Sequence, residues 1–223
     1  MSFWRKVYAI TRKDVLAELR TKETVSAVLV FTLLVIVIFN FAFGTQRDII
    51  EKVASGMLWV TFAFAGVLSL NRAFVMEKEE GCLEGLMVAP VPREVIYVGK
   101  MLSSLIFMFL VEAIALPIFA FLFNLNVLTW QNVAVVLLAT TGFVAVGTLF
   151  SALAVNTKAR EMVLPILFFP IVSPVIIFAV QGSDLALSGA PWGSLFSVMQ
   201  FLIIFDVIFL VISYLIFSFV VEE

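Results

Sequence analysis

The chain has 223 residues, of which 63% are hydrophobic and only 13% are charged, with 24 Phe and a formal net charge of −2. A soluble domain of this composition would expose large apolar patches to water, so an ordinary soluble domain is excluded. The composition predicts an all-α membrane protein.

The first 24 residues predict a helix that lies in the membrane interface. They are not typical of a signal peptide, because charges continue through Glu23 and the apolar stretch that follows is long enough to span. From about Phe3 to Arg20, one half of the helix circumference is mainly apolar, and Asp14 and Glu18 interrupt it. The apolar residues are Phe3, Trp4, Val7, Tyr8, Ile10, Val15 and Leu19. Trp and Tyr suit the headgroup level, and Lys and Arg suit anionic lipid. The alternative is an irregular basic tail that only sets the topology.

Six apolar stretches are long enough to cross a hydrocarbon layer of roughly 30 Å, which takes about 20 helical residues. They are Val25–Phe43, Val53–Met76, Lys100–Phe123, Val133–Val155, Met162–Val180 and Leu195–Val221. In the fourth stretch, Gly147 and Ser151 lie four positions apart, a spacing that allows a neighbouring helix to approach closely. No separate soluble domain fits in the remaining residues.

The distribution of Lys and Arg predicts the orientation. Twelve of the 14 basic residues lie before the first span or around the second and fourth connections, and only Arg47 and Lys52 lie in the first connection. The positive-inside rule therefore places both termini and residues 77–93 in the cytoplasm.

The fifth span contains three prolines, which are Pro165, Pro170 and Pro174. Each proline removes an amide donor, so this span is predicted to be bent or broken, either as part of a gate or as a static kink. The connection Gln181–Ser194 is rich in Gly and contains Trp192. It is predicted to form a short re-entrant or interfacial piece on the outer side.

Two carboxyl groups lie near the middle of spans, Glu112 in the third and Asp206 in the sixth. A charge at this depth costs about 2.5–3.5 kcal/mol even on insertion scales, and no Lys or Arg lies at comparable depth. The carboxyl groups are therefore expected to be protonated, hydrogen-bonded to Ser, Thr or Asn, or paired with another chain. One interpretation is an intramembrane path or a partner contact; the other is a neutral carboxyl that stabilises helix packing. An intramembrane enzyme is disfavoured because neither residue lies in a recognisable catalytic motif.

Several sites are excluded by residue type. The chain has no His, which excludes HExxH metalloproteases, Ser-His and Cys-His nucleophile pairs, and imidazole ligation of a metal or haem. Its single Cys82 excludes an internal disulfide framework. The chain lacks a GxxxxGK[ST] phosphate loop, since Gly99-Lys100 is followed by Met101. Energy for any driven work must therefore come from another chain.

The polar stretch 77–93, between the second and third spans, is the strongest functional signal. Four acidic residues and one Lys fall between Glu77 and Glu84. The residues Leu83, Leu86, Met87 and Pro90 then recur at helical spacing. Acidic side chains suit the start of a helix, and Pro90 and Pro92 end it. A short cytoplasmic helix between two spans is suited to binding a soluble partner.

Residues 77–93 resemble the coupling segment of type-2 ABC exporter permeases, in which an acidic cluster precedes Gly-Thr/Cys-Leu-Glu, two aliphatic residues, a small residue with Pro, and Arg. The whole chain most resembles the CcmB family within that group. The resemblance rests on Lys13-Asp14, Glu18-Leu19-Arg20, Leu83-Glu84-Gly85-Leu86, Ala89-Pro90, Ile96-Tyr97 and Gly99-Lys100. The departure is Cys82, where Thr is common. The resemblance implies a type-2 ABC exporter fold in a prokaryotic inner membrane. Residues 1–223 would form a single transmembrane permease domain, with an interfacial helix at 1–24 and the coupling segment at 77–93.

The resemblance also implies partners. Relatives pair two permease chains with two copies of a separate ATP-binding subunit, on which ATP is hydrolysed. The residues implied to contact that subunit are Glu79, Glu80, Gly81, Leu83, Glu84, Leu86, Met87 and Pro90. Haem would be the cargo, for cytochrome c maturation, with further membrane subunits and a periplasmic haem chaperone; no cofactor on this chain and no nucleic-acid partner are expected. The alternatives are a permease for drugs, lipids or glycans, and a non-transporting membrane scaffold or passive channel.

Overall fold

The structure is a computed structural model that describes residues 2–44, 46–73, 91–155 and 160–220, and over these ranges all regular structure is α-helical. The helices are α1 (Phe3–Thr21), α2 (Glu23–Phe43), α3 (Arg47–Ala73), α4 (Arg93–Phe123), α5 (Trp130–Val155), α6 (Arg160–Leu187) and α7 (Trp192–Val220). The six helices α2 to α7 are long and apolar enough to cross a membrane. The predicted all-α architecture, an N-terminal helix followed by six spans, is confirmed.

Several helices extend beyond the apolar stretch that predicted them. The clearest case is α4, which begins at Arg93 and not at Lys100. Pro92 precedes it with φ −54°, which suits the start of a helix, and the Val95 N–H donates to Pro92 O at 3.0 Å. Hydropathy detects only the part of a helix that suits lipid, whereas backbone hydrogen bonding continues through polar residues.

The helix α6 runs without a break from Arg160 to Leu187, with all three of its prolines inside it. The span was predicted to be bent or broken; it is not broken, and the bend stays a prediction. Pro174 has no N–H to donate to Pro170 O, one turn earlier in the helix. The Ser173 hydroxyl donates to that carbonyl at 3.0 Å and satisfies it locally.

The predicted re-entrant piece at Gln181–Ser194 is also wrong. Its first half, residues 181–187, continues α6. Within it Ser183 is buried and accepts a hydrogen bond from Trp59 Nε1 of α3 at 2.9 Å. The chain then turns at Gly189, whose φ of +73° is favoured by glycine, and α7 begins at Trp192.

The helix α5 lies at the centre of the bundle and packs against α3, α4, α6 and α7. A Cβ atom at Gly147 would overlap the Leu70 side chain of α3, so the absence of a side chain there permits the close approach. One turn later, Ser151 Oγ donates to Leu70 O at 2.5 Å. The close helix approach predicted at Gly147 and Ser151 is confirmed, and the neighbour is α3.

The outer surface of the bundle is apolar as well. On α7 the exposed large side chains include Ile203, Ile204, Val207, Ile208, Val211 and Leu215. Helices that are apolar all round suit a membrane, where lipid or another protein chain covers the outer face.

Candidate functional site

The residues predicted to contact an ATP-binding subunit lie outside the described residues. These are Glu79, Glu80, Gly81, Leu83, Glu84, Leu86, Met87 and Pro90. The description resumes at Val91, and α4 begins at Arg93, at the end of the predicted coupling segment. Among the described residues, the candidate site therefore consists of the first turns of α4 and the two buried carboxyl groups, those of Glu112 and Asp206.

The helix α1 confirms the predicted N-terminal helix, and it packs against α4. Ile10 lies against Gly99, where a Cβ atom would be only 2.8 Å from Ile10 Cγ2. Thr11 Oγ1 donates to Gly99 O at 3.1 Å. In contrast, Trp4 and Tyr8 remain 69% and 67% exposed. The apolar half of α1 is therefore divided between a face that packs on the bundle and a face that points outward.

An ion pair joins α1 to α4 beside this contact. Lys100 Nζ lies 3.2 Å from Asp14 Oδ2, and their side chains are only 5% and 11% exposed. Ser103 Oγ donates to the same Asp14 oxygen at 3.3 Å, and Lys13 Nζ lies 3.3 Å from Asp14 Oδ1. Such a buried pair is tolerated because each charge is compensated and hydrogen-bonded. We call Asp14 and Lys100 the α1–α4 pair.

Sequence reasoning missed the α1–α4 pair. It treated Lys100 as one of the basic residues that set the topology and Asp14 as an imperfection in an amphipathic helix. The signal that could have found it was the coincidence of two features: an acidic residue on the apolar face of α1 and a basic residue at the start of an apolar stretch.

Glu18, the second acidic residue on the apolar half of α1, fixes the junction with α2. Its side chain is buried, and Glu18 Oε1 accepts a hydrogen bond from the Val25 N–H at 2.8 Å. That amide belongs to the first turn of α2 and has no partner within the helix. Lys22, between the two helices, has φ +56° and donates its N–H to Glu18 O at 2.6 Å.

The start of α4 is also bonded to the two helices on its other sides. Arg93 Nη1 donates to Ser218 O near the end of α7 at 3.1 Å. The Tyr97 hydroxyl donates to Ala145 O of α5 at 3.0 Å, and its ring lies 5.4 Å from that of Phe217. Together with the α1–α4 pair, these contacts connect the first turns of α4 to α7, α5 and α1.

Glu112 is buried on α4 and contacts α5. Its side chain is 2% exposed, and Oε1 accepts a hydrogen bond from Thr140 Oγ1 at 2.5 Å. The second oxygen, Oε2, has no hydrogen-bond partner among the described residues. A hydrogen bond to Ser, Thr or Asn is one of the three ways in which this buried carboxyl group was predicted to be accommodated. A functional role for Glu112 remains a prediction.

Asp206 approaches α5 from α7. It is 6% exposed and lies against Gly142, where any Cβ atom would overlap Asp206 Oδ1. Within the described ranges this oxygen also lacks a hydrogen-bond partner. A glycine at 142 therefore makes the space that this carboxyl group occupies.

The two carboxyl groups converge on one short segment of α5 but contact different sides of it. Thr140 and Gly142 are two positions apart, which is about 200° around an α-helix. Glu112 and Asp206 thus flank α5, each with one oxygen that no described group satisfies. Unsatisfied buried oxygens can accept hydrogen bonds from water, from a ligand or from another chain.

The sequence profile of the family described as "CcmB protein" matches residues 5–222. A relative from Rhodobacter capsulatus named "Heme exporter protein B" is 34% identical over 184 residues, which cover 82% of this chain and 83% of the relative. Proteins of the same name are similar at 28% identity in Bradyrhizobium diazoefficiens, over 86% of this chain and 87% of the relative, and at 30% in Escherichia coli K12, over 83% of each.

Proposed function

This chain belongs to the CcmB family, and we propose that it is the membrane permease subunit of a haem exporter that serves cytochrome c maturation. The observation that carries the proposal is the family match, which extends over residues 5–222 and so includes every span and the segment 77–93. The relatives from three organisms are named "Heme exporter protein B". Six helices able to cross a membrane agree with a permease subunit.

In this proposal a separate ATP-binding subunit supplies the energy. The absence of a GxxxxGK[ST] phosphate loop from the sequence supports placing ATP hydrolysis on a separate chain. The segment 77–93 is the proposed contact, with its acidic residues followed by an apolar stripe. Its C-terminal end leads directly into α4, whose first turns are bonded to α1, α5 and α7. A displacement of the segment would therefore reach three other helices.

The proposed location is a prokaryotic inner membrane with both termini in the cytoplasm. The excess of Lys and Arg on the side of the N-terminus supports this orientation. On that side, the exposed Trp4 and Tyr8 of α1 would lie at headgroup level. The apolar outer faces of the spans are suited to contact lipid, a second permease copy or further membrane subunits of the exporter. In the proposal, those further subunits transfer haem to a periplasmic chaperone.

The proposal places haem as the cargo and not as a resident cofactor. Because the chain has no His, any contact with haem would be apolar or would use a side chain other than imidazole, such as Met, Tyr or a carboxyl group. Glu112 and Asp206 are the proposed intramembrane path or partner contact, since each has a buried oxygen with no hydrogen-bond partner among the residues that the structure describes.

The deciding experiment is deletion of the gene with complementation by the intact chain. Covalent maturation of c-type cytochromes should stop, while b-type haem proteins still form because their haem does not need export. Haem-stained gels of membrane and periplasmic fractions measure the first, and reduced-minus-oxidised spectra measure the second. Normal c-type cytochromes in the deletion strain would overturn the haem assignment and favour a permease for drugs, lipids or glycans.

A further inference from the structure

We propose that Asp14 and Lys100 are positioning residues that hold α1 in one register on the start of α4, so that the two helices move as a unit during transport. The functional part rests on the proposed function, whereas the register itself does not. The observation is the α1–α4 pair: a nearly buried ion pair whose Nζ–Oδ2 distance is 3.2 Å.

The rest of the described contact between α1 and α4 combines one hydrogen bond, from Thr11 Oγ1 to Gly99 O at 3.1 Å, with apolar packing. Ile10 packs on Gly99, an apolar contact whose strength follows buried area and not orientation. Because every residue of α4 carries a backbone carbonyl, the Thr11 hydrogen bond does not by itself select one register of α1. The pair, in contrast, requires defined positions of both charges, and Ser103 Oγ adds a third group at 3.3 Å from Asp14 Oδ2.

A buried ion pair is a weak source of stability, because desolvation of the two charges offsets most of their attraction. Apolar residues of similar size would hold α1 on α4 at least as firmly. Buried polar groups can in addition select one packing among several, as a polar residue does in the core of a coiled coil. A fixed register of α1 on α4 matters at this position, because Lys100 lies within two turns of Arg93, where the predicted coupling segment ends.

The test replaces the pair without leaving a lone buried charge. The neutral variant combines Asp14→Leu with Lys100→Met, and the conservative variant Lys100→Arg keeps the ion pair. The matched control combines Arg47→Gln with Glu51→Gln, which removes an exposed ion pair of 3.0 Å at the start of α3. If the neutral variant does not accumulate in the membrane, Asp14→Asn with Lys100→Met replaces it, because Asn and Met are close in volume to the side chains that they replace.

The first readout is the register. Spin labels are attached at Tyr8→Cys on α1 and Ile106→Cys on α4, two exposed positions, in a Cys82→Ser background. The intact pair, Lys100→Arg and the control should give one narrow distance distribution, and the neutral variant a broadened or shifted one. An unchanged distribution in the neutral variant would overturn the assignment, as would equal broadening in Lys100→Arg, since the pair would then not be the cause.

The second readout is function in the deletion strain, with c-type cytochrome yield divided by the amount of permease in the membrane. The neutral variant should fall about tenfold or more, within the usual range of coupling between sites, and Lys100→Arg should keep most of the yield. A merely structural role would lower permease amount and yield in proportion and leave the ratio unchanged. A broadened distribution with an undiminished ratio would overturn the functional part. If the deletion strain itself matures c-type cytochromes, the proposed function fails, and the distance distribution still decides the register.

Discussion

The close contact between α3 and α5 permits a sharp prediction from one added methyl group. Gly147→Ala would place a Cβ atom inside the volume of Leu70, which is fully buried. At Gly56, on the same helix as Leu70, a Cβ atom would meet no described atom within 4 Å. The two glycines are both helical, so Gly56→Ala serves as a matched control for the backbone effect.

Two opposing contributions to the free energy of unfolding decide whether each substitution stabilises or destabilises the protein. Replacing a glycine inside a helix by alanine stabilises a protein by about 0.5–1 kcal/mol, because alanine loses less backbone freedom on folding. Forcing extra volume into a well-packed contact costs about 1–3 kcal/mol. We therefore expect Gly56→Ala to be neutral or slightly stabilising, and Gly147→Ala to lie about 1–3 kcal/mol below it. At about 2–4 °C per kcal/mol for a chain of this size, the midpoint of thermal unfolding should be lower by about 2–12 °C.

The assay is thermal unfolding of the detergent-solubilised protein, followed by the amount of monodisperse material after heating. Leu70→Ala provides the internal test, because the space it leaves should accommodate the new methyl group. In that background Gly147→Ala should no longer destabilise, and the double-mutant cycle should return a favourable interaction energy. Equal midpoints for Gly147→Ala and Gly56→Ala would refute the close approach of α3 and α5.

Three further predictions concern orientation, coupling and the intramembrane carboxyl groups. A reporter inserted at Gly189, in the exposed turn before α7, should be external, and Cys82 should resist an impermeant thiol reagent in intact cells; labelling of Cys82 from outside would contradict the orientation. Leu86→Asp should release the ATP-binding subunit during purification and abolish coupled ATP turnover while insertion is normal, because it places a charge in an apolar contact; unchanged co-purification would contradict the coupling role. Thr140→Val should lower stability by about 1–3 kcal/mol, because Glu112 loses its buried donor, whereas Thr141→Val, whose hydroxyl donates to its own helix, should not; equal midpoints would show that the Glu112 bond contributes nothing.

Much of the fold was predictable because the bilayer imposes a simple length rule. About 20 apolar residues in a helix cross the hydrocarbon layer, so six apolar stretches give six spans regardless of how they pack. The errors lie where hydropathy carries no information. The helix α4 starts in the polar residues from Arg93, and α6 continues through three prolines and on to Leu187. The Ser173 hydroxyl donates to Pro170 O, the carbonyl that Pro174 leaves without a backbone donor. The positions of the prolines in the sequence do not reveal this hydrogen bond.

The two carboxyl groups were predictable as unusual, because a carboxyl group in lipid is costly wherever it lies. Their surroundings were not predictable, because Thr140 and Gly142 come next to Glu112 and Asp206 only through the packing of α4 and α7 on α5. The sequence positions of two acidic residues in different spans therefore do not predict that both side chains contact α5. The residues predicted to couple to an ATP-binding subunit, Leu83 among them, show the opposite case: their local sequence pattern is strong, and they lie outside the described residues.

The α1–α4 pair shows how far sequence reasoning could have gone. Asp14 and Ser103 are 89 positions apart, and no local rule connects them. Yet an acidic residue on the apolar face of an interfacial helix needs a partner, because neither lipid nor an apolar neighbour can compensate it. Lys100 begins the third apolar stretch, lies on the same predicted side of the membrane and carries the opposite charge. One contact between the two residues compensates both charges. The same reasoning applies to other membrane proteins: a charged residue on the apolar face of an amphipathic helix indicates that a partner of opposite charge lies nearby in the fold.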